Sequence, residues 1–391
     1  MKILFTTFSY YPETSGVPIV VQYLAEGLSI KGHKVSVATR DNGNGFASHE
    51  VINGVDIYRF DIGQNIFKRN TGNVDEYISF IKGFQKEILI LECLQCHTTD
   101  ILLPYLHEMN CKIVLHTHGA PGLTMKPIEW EGDLLHTIGH FDNWRRWKTY
   151  YKSEFPKFSK DIDAGICLSL CASDIDYLNK HLKQVYIAEN AANAMFFDRQ
   201  MYAKDISSVI NVKNSRFIVY ISNYCHGKNQ ITLLKEFSKA NVEDCALVLI
   251  GSERNSYCEK VIKMAKEIET NNNCEIKVLY NIDRTYFPAI LNRAALFVMT
   301  SKLEQYPVSL VEALAVGLPF ISTRVGNAHI LSGGVTARTN SEISTLLKTF
   351  LSNPTLIERL SRQGKDYANN NNTLKVVVDN YEQILLKVNE K

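Results

Sequence analysis

The chain is 391 residues long, and at ~150 residues per domain it holds two to three domains. Hydrophobic residues make up 45% of it and charged residues 21%, which excludes a disordered or collagen-like polypeptide. Its 43 Lys and Arg against 41 Asp and Glu leave +2, so no global field argues for a nucleic-acid partner.

From the N-terminus, Ile3-Leu4-Phe5 is the first strand. The apolar run around it is too short for a signal peptide, and no stretch approaches the ~20 apolar residues that cross a bilayer, so a cytoplasmic protein is expected. Ser15-Gly16-Val17 turns into a helix with Val20, Val21, Leu24 and Leu28 at helical spacing, closed by Gly32. Strands follow at 34–39, 55–60, 113–116, 165–168 and 185–187. Nine scattered cysteines suit reduced thiols rather than a disulfide framework. Cys93-Leu94-Gln95-Cys96-His97 spells the haem-attachment pattern, but Ile88-Leu89-Ile90-Leu91 before it reads as a buried strand, so these cysteines are expected to pack as small apolar groups. His116-Thr117-His118-Gly119 ends the strand at 113–116. The segment 144–152 is basic and aromatic. It reads first as an amphipathic helix covering the N-terminal sheet and second as a contact for anionic lipid.

The alternation restarts near Phe217, with strands at 217–221, 246–250, 276–279, 295–299 and 320–323 and helices near 231–240, 256–269, 283–293 and 308–316. Strands alternating with helices imply parallel sheets covered on both faces, and two such runs imply two doubly wound domains with a ligand cleft as the default site. The boundary is expected in the polar stretch 198–215. The last stretch is helical, broken by the asparagines at 369–372 and resumed with Leu374, Val377, Tyr381, Ile384 and Leu385.

The sharpest feature is Glu304-Gln305-Tyr306-Pro307-Val308, with Glu312 eight residues after Glu304, directly after the strand Leu296-Phe297-Val298-Met299. Pro307 suits a first helical turn, and the amides after it form an anion cradle. Glu312 lies about a turn deeper, roughly 6 Å along the axis. Ionised carboxylates are strong acceptors for sugar hydroxyls. Glu312 continues as Glu-Ala-Leu-Ala-Val-Gly-Leu-Pro.

At these residues the chain resembles glycosyltransferase family 4, the retaining GT-B enzymes, and the resemblance runs along nearly the whole chain. It implies a GT-B fold, two doubly wound Rossmann-like domains facing across a cleft. Residues 1–200 would bind the acceptor, 201–370 the nucleotide sugar, and 371–391 would form a helix returning to the first domain. It implies that Glu312 contacts the ribose, and that Glu304 with Gln305, Tyr306, Pro307 and Val308 holds the donor sugar and diphosphate. Lys228 takes the diphosphate-binding lysine position, whereas Asn223 stands where the family commonly has arginine. Ser15 and Gly16 occupy its Gly-Gly loop, and Asn281 and Ile282 the loop whose backbone faces the base. His118 takes the histidine position near the reacting sugar, where a histidine donates to a developing charge or a sugar hydroxyl. Ala191 replaces the glycine of an interdomain Asn-Gly turn, and Gly326-Asn327-Ala328 lacks its usual glutamate. The catalytic candidates are therefore His118, Glu304 and Lys228.

The expected function is transfer of a sugar from a nucleotide-diphosphate donor such as a UDP-sugar to an acceptor hydroxyl with retention, in bacterial surface polysaccharide or glycoconjugate synthesis. The expected partners are that donor and a glycan or lipid-linked glycan acceptor, with a peripheral contact at the inner face of the membrane and no nucleic acid. No metal or other cofactor is expected. A sugar-nucleotide hydrolase, epimerase or phosphorylase on the same scaffold stays open, as does a non-catalytic nucleotide-sugar-binding protein.

Overall fold

The computed structural model describes residues 1–390 apart from 14–15, 44, 66–68, 129–133 and 273. The chain divides into two units, Met1–Glu189 with Val377–Lys391, and Asn190–Val376. The expected division at 200 and 370 differs from these limits by about ten residues at the first crossing and six at the second.

The first unit is built on β1 (Lys2–Thr7), β2 (Lys34–Arg40), β3 (His49–Ile52), β4 (Val55–Phe60), β7 (Ile88–Glu92), β8 (Lys112–His116), β9 (Ala164–Cys167) and β10 (Val185–Ile187), with a separate ribbon of β5 (Ile62–Gln64) and β6 (Asn70–Gly72). The main sheet has the order β10-β9-β8-β7-β1-β2-β4-β3. All its pairs are parallel except β3 with β4. Every residue of β7 is buried, as expected of a central parallel strand covered on both faces. The first helix, Val17–Ile30, ends in a Schellman turn. Gly32 at φ +90° donates to Ser29 O, and His33 N–H reaches back to Leu28 O at 3.2 Å.

The second unit carries β11 (Arg216–Ile221), β12 (Cys245–Gly251), β13 (Glu275–Tyr280), β14 (Leu296–Met299), β15 (Phe320–Thr323) and β16 (Gly334–Ala337). Their order is β13-β12-β11-β14-β15-β16, all parallel. The order reverses between β11 and β14, so the carboxyl ends of these two strands open the crevice where doubly wound sheets bind ligands.

Two local expectations are corrected. The helix Pro354–Asn371 runs through the first three of the four consecutive asparagines, and the break comes at Asn372, which caps it. Asn371 is tolerated there because its Nδ2 bonds back to Tyr367 O, four residues earlier, within the helix. The helix expected at 308–316 is found there, but Pro307, expected in its first turn, is the residue that precedes it. It is the cap residue at φ −70° and ψ 117°, and its carbonyl accepts from Leu310 N and Val311 N. The helix is Val308–Val316, closed by Gly317 at φ +83°.

The final helix, Leu374–Asn389, crosses from the second unit to the first. Within the first unit it packs on Val17–Ile30. A Cβ on Gly27 would lie 2.4 Å from Val378, so the two backbones approach as closely as only glycine allows. Lys31 pairs with both Asp379 and Glu382.

Candidate functional site

The second unit assembles its site where β11 and β14 end. Beyond β11 the chain turns through Asn223, and the turn ends at Lys228, whose amide bonds Cys225 O and whose carbonyl accepts from the buried Tyr220 hydroxyl at 3.0 Å. Lys302 N donates to Gly227 O, tying this turn to the loop that follows β14. Across that junction Lys228 Nζ donates to Glu304 Oε1 at 2.5 Å, and Ser301 Oγ donates to the same oxygen at 2.6 Å. Ser301 is itself bonded to Tyr220. Both bonds to Glu304 fall on Oε1, so Oε2 keeps its capacity to accept from a hydroxyl.

The loop carrying Glu304 is held from below. Gly326 sits at φ +49° where a Cβ would come 2.5 Å from Gln305 O and 2.7 Å from Glu304 O, so a side chain there would push the acidic loop away. Asn327 N donates to Gln305 O, while its buried side-chain amide meets no partner among the described residues. Tyr306 is buried. Its carbonyl accepts from Asn190 Nδ2 at 2.8 Å and its hydroxyl from Asn372 Nδ2 at 2.9 Å. Val308 and Ser309 are the first helical residues, so their amides lie ahead of the first intrahelical acceptor, as an anion cradle requires.

Glu312 is buried and ion-paired to Arg284. Burial pushes its carboxyl up to about 7 against the opposing pull of that guanidinium. Arg284 was not among the sequence candidates. It opens the short turn Arg284–Tyr286 after the β13 loop, and its guanidinium lies over the rings of Phe196 and Phe287, 5.7 and 5.9 Å from their centroids. The available signal was a basic residue two positions after Ile282, which is too common to single out. Asn281 is exposed at φ +56°, with its amide bonded to Ser252 O, and Ile282 follows it half-buried beside the end of β12. Asn223 is exposed. Its carbonyl holds Gln230 Nε2 at 3.0 Å.

In the first unit, Ser15 lies outside the described residues. Gly16 caps the helix Val17–Ile30 at φ +62°, with open space where a Cβ would stand, so its backbone angle is what calls for glycine. His118 sits beyond β8 beside two groups the sequence reading did not assign a role. Glu92, fully buried at the end of β7, accepts from His118 Nε2 at 2.7 Å and from His116 Nδ1 at 3.1 Å. Asp174 is also buried, with neither carboxylate oxygen bonded to a described residue, and burial raises its carboxyl. Glu92, His116 and His118 have the residue types of a metal site, with donor atoms within 4.8 Å of one another. Two of those separations are hydrogen-bond distances. Cys93 and Cys96 are pushed up by burial, which keeps them as thiols, and Cys96 is spent on Thr98 at 3.1 Å.

In the segment 144–152, Trp147 and Tyr151 pack on the core of the first unit, and the Tyr150 hydroxyl donates to Asp100 at 2.7 Å. Arg145, Lys148 and Lys152 are exposed, and so are Ile128, Ile138 and Phe141 nearby in sequence. Among the described residues no helix is long and apolar enough to cross a membrane.

Two units, each built on a largely parallel doubly wound sheet, give the chain the GT-B fold. Sucrose-phosphate synthase from Thermosynechococcus elongatus shares it at a TM-score of 0.77 and 14% identity, over 99% of this chain and 98% of that one. HepE from Anabaena, solved with UDP and glucose, shares it at a TM-score of 0.70 and 15% identity, over 98% and 99%. Residues 203–367 match the family model described as glycosyl transferases group 1. In sequence, the chain is similar to a phosphatidylinositol N-acetylglucosaminyltransferase component of Arabidopsis thaliana, 22% identical over 347 residues, which is 83% of this chain and 68% of that protein. It is also similar to N-acetyl-alpha-D-glucosaminyl L-malate synthase of Bacillus anthracis, 26% identical over 153 residues. That match spans 38% of this chain and 37% of the relative.

Proposed function

We propose that this protein is a retaining glycosyltransferase of family 4 that moves a sugar from a nucleotide-diphosphate donor to an acceptor hydroxyl in bacterial glycoconjugate or surface polysaccharide synthesis. The observation that carries the reading is the Lys228–Glu304 pair, whose glutamate lies four residues ahead in sequence of the helix that starts at Val308 and Ser309. It sets a cation next to an acceptor oxygen and close in sequence to amide dipoles, the combination a diphosphate-linked sugar requires. The donor we favour is UDP-N-acetylglucosamine. Both relatives matched in sequence are named for N-acetylglucosaminyl groups, and HepE was solved with UDP.

In this mechanism Glu304 accepts from a donor-sugar hydroxyl through Oε2. Lys228 keeps one N–H on Glu304 and turns another toward the diphosphate. Charge that develops on the departing phosphate is met by Lys228 and the helix amides, groups already in place before the bond breaks. Asn223 supplies polarity without charge where an arginine would add a second cation, so phosphate binding leans on Lys228. Glu312 takes the ribose hydroxyls, and the backbone at Asn281 and Ile282 faces the base. His118 contributes a contact to the reacting sugar. The acceptor is a glycan or lipid-linked glycan.

A thermal-shift screen of nucleotide sugars tests the reading. A ligand at about 100 Kd adds roughly 2.7 kcal/mol to stability. UDP-N-acetylglucosamine is expected to give the largest rise, and the product anomer, read by NMR coupling, is expected to match the donor's. A panel in which no nucleotide sugar raises the melting temperature would end the proposal.

A further inference from the structure

We propose that Glu92 is a positioning residue that fixes His118 as its Nε2–H tautomer, leaving Nδ1 as the ring atom that accepts a hydrogen bond from a ligand hydroxyl. The role in transfer rests on the reading above, but the tautomer follows from the first unit alone. The register of β7 on β8 sets Glu92 opposite His116, and the turn after β8 brings His118 to the other carboxylate oxygen. Burial would raise the Glu92 carboxyl, but the two imidazoles hold it down at about 2, so it is an ionised, acceptor-only group. Each ring nitrogen facing it must therefore carry a proton, Nδ1 on His116 and Nε2 on His118.

Burial, with His116 beside it, pushes His118 below its ordinary value, so His118 carries a single proton. Nε2 holds that proton, and Nδ1 is a lone pair. Its buried neighbours are Cys93, which burial keeps a thiol, and Asp174, whose carboxyl burial raises, while the Tyr381 ring lies 5.3 Å from that of His116. His118 then holds a hydroxyl by accepting from it and does not donate to the departing phosphate, which replaces the donor roles expected from its sequence position.

The test is ¹⁵N-histidine NMR on the whole protein without ligand, with His118→Asn to assign the ring. The expected spectrum near pH 7.5 shows His118 protonated on Nε2 and bare on Nδ1. A proton on Nδ1, an imidazolium, or stoichiometric metal on Nε2 overturns the proposal. Glu92→Gln offers His118 either an oxygen or an amide N–H, so the Nδ1–H form is expected to appear. With it, kcat is expected to fall roughly ten- to a hundredfold while donor KM changes little, as when an outer partner that orients a ligating histidine is lost. Glu92→Asp is expected to recover part of the loss. A Glu92→Gln variant with unchanged kcat refutes the positioning role. If Glu92→Gln does not fold, the wild-type spectrum decides. A wild type that transfers no sugar would defeat the transferase reading and leave the spectrum to judge the tautomer.

Discussion

Glu312 carries a consequence for pH. Its carboxyl sits near 7 because burial disfavours the charge and Arg284 only partly restores it. A raised folded-state value means that the folded protein holds a proton the unfolded chain has already lost. Glu312 therefore stabilises below the unfolded value, and that stability is lost as pH rises through about 7. Donor affinity runs the opposite way, because an ionised carboxylate grips ribose hydroxyls more strongly than a neutral acid does. The donor Kd is expected to tighten from pH 6 to pH 8. Glu312→Gln should weaken binding roughly ten- to a hundredfold at pH 8, the size of one charge-assisted bond, and flatten this pH dependence. Calorimetric titration of donor into both proteins across that range checks it, and a wild-type Kd that does not move with pH would detach Glu312 from the donor.

At the scale of elements, the segment 144–152 divides its residues between two environments. Trp147, Tyr150 and Tyr151 face the first unit, so the amphipathic reading is the structural one for that side. The outward side gathers Arg145, Lys148 and Lys152 with exposed Ile138 and Phe141. Asp142 partly offsets those charges through Arg145. At about 1 kcal/mol per basic residue near an anionic surface, three cations give weak, salt-sensitive attachment. Co-sedimentation with vesicles containing phosphatidylserine is expected at low salt and not with neutral vesicles. Equal binding to both would leave the segment a cover for the sheet. The strands were legible because doubly wound sheets bury continuous apolar runs such as Ile88-Leu89-Ile90-Leu91 and 246–250. Glu304 and Glu312 stood out because they lie eight residues apart directly after one strand, whereas Lys228, 76 residues from Glu304, stood out only through the family resemblance. Glu92 and Arg284 did not, because each gains its meaning from a partner that strand register or a distant helix supplies: His116 lies 24 residues away and Glu312 lies 28. Pro307 was misplaced by one position because a cap and a first-turn proline look alike until the carbonyl bonds are seen.

For the molecule as a whole, the first unit is not a continuous stretch of chain. Its final helix buries Val377, Val378, Tyr381, Ile384, Leu385 and Val388. At ~1.5–3 kcal/mol for each large side chain, losing six of them removes about 10 kcal/mol, comparable with the entire stability of a domain. A chain ending at residue 376 is therefore expected to lose the cooperative melting of the first unit while the second still melts and still responds to nucleotide sugar. Calorimetry of that truncation against the full chain checks it, and two intact transitions would show that the returning helix is dispensable.

The two places where the chain enters and leaves the second unit lie side by side. Ala192 bridges Thr373, Ala192 N donates to Asn372 O, and Asn372 Nδ2 donates to Asn190 O. The second unit is thus a loop of polypeptide closed at its own base, inserted into a first unit that stays open until residues 377–391 exist. On the ribosome, where domains generally fold as units during synthesis, this reverses the order in which the halves mature. The portion made first must wait, with the apolar face of the helix Val17–Ile30 uncovered beside Gly27, while the portion made second closes around Tyr306. The N-terminal half is the one exposed to chaperones and to aggregation during translation.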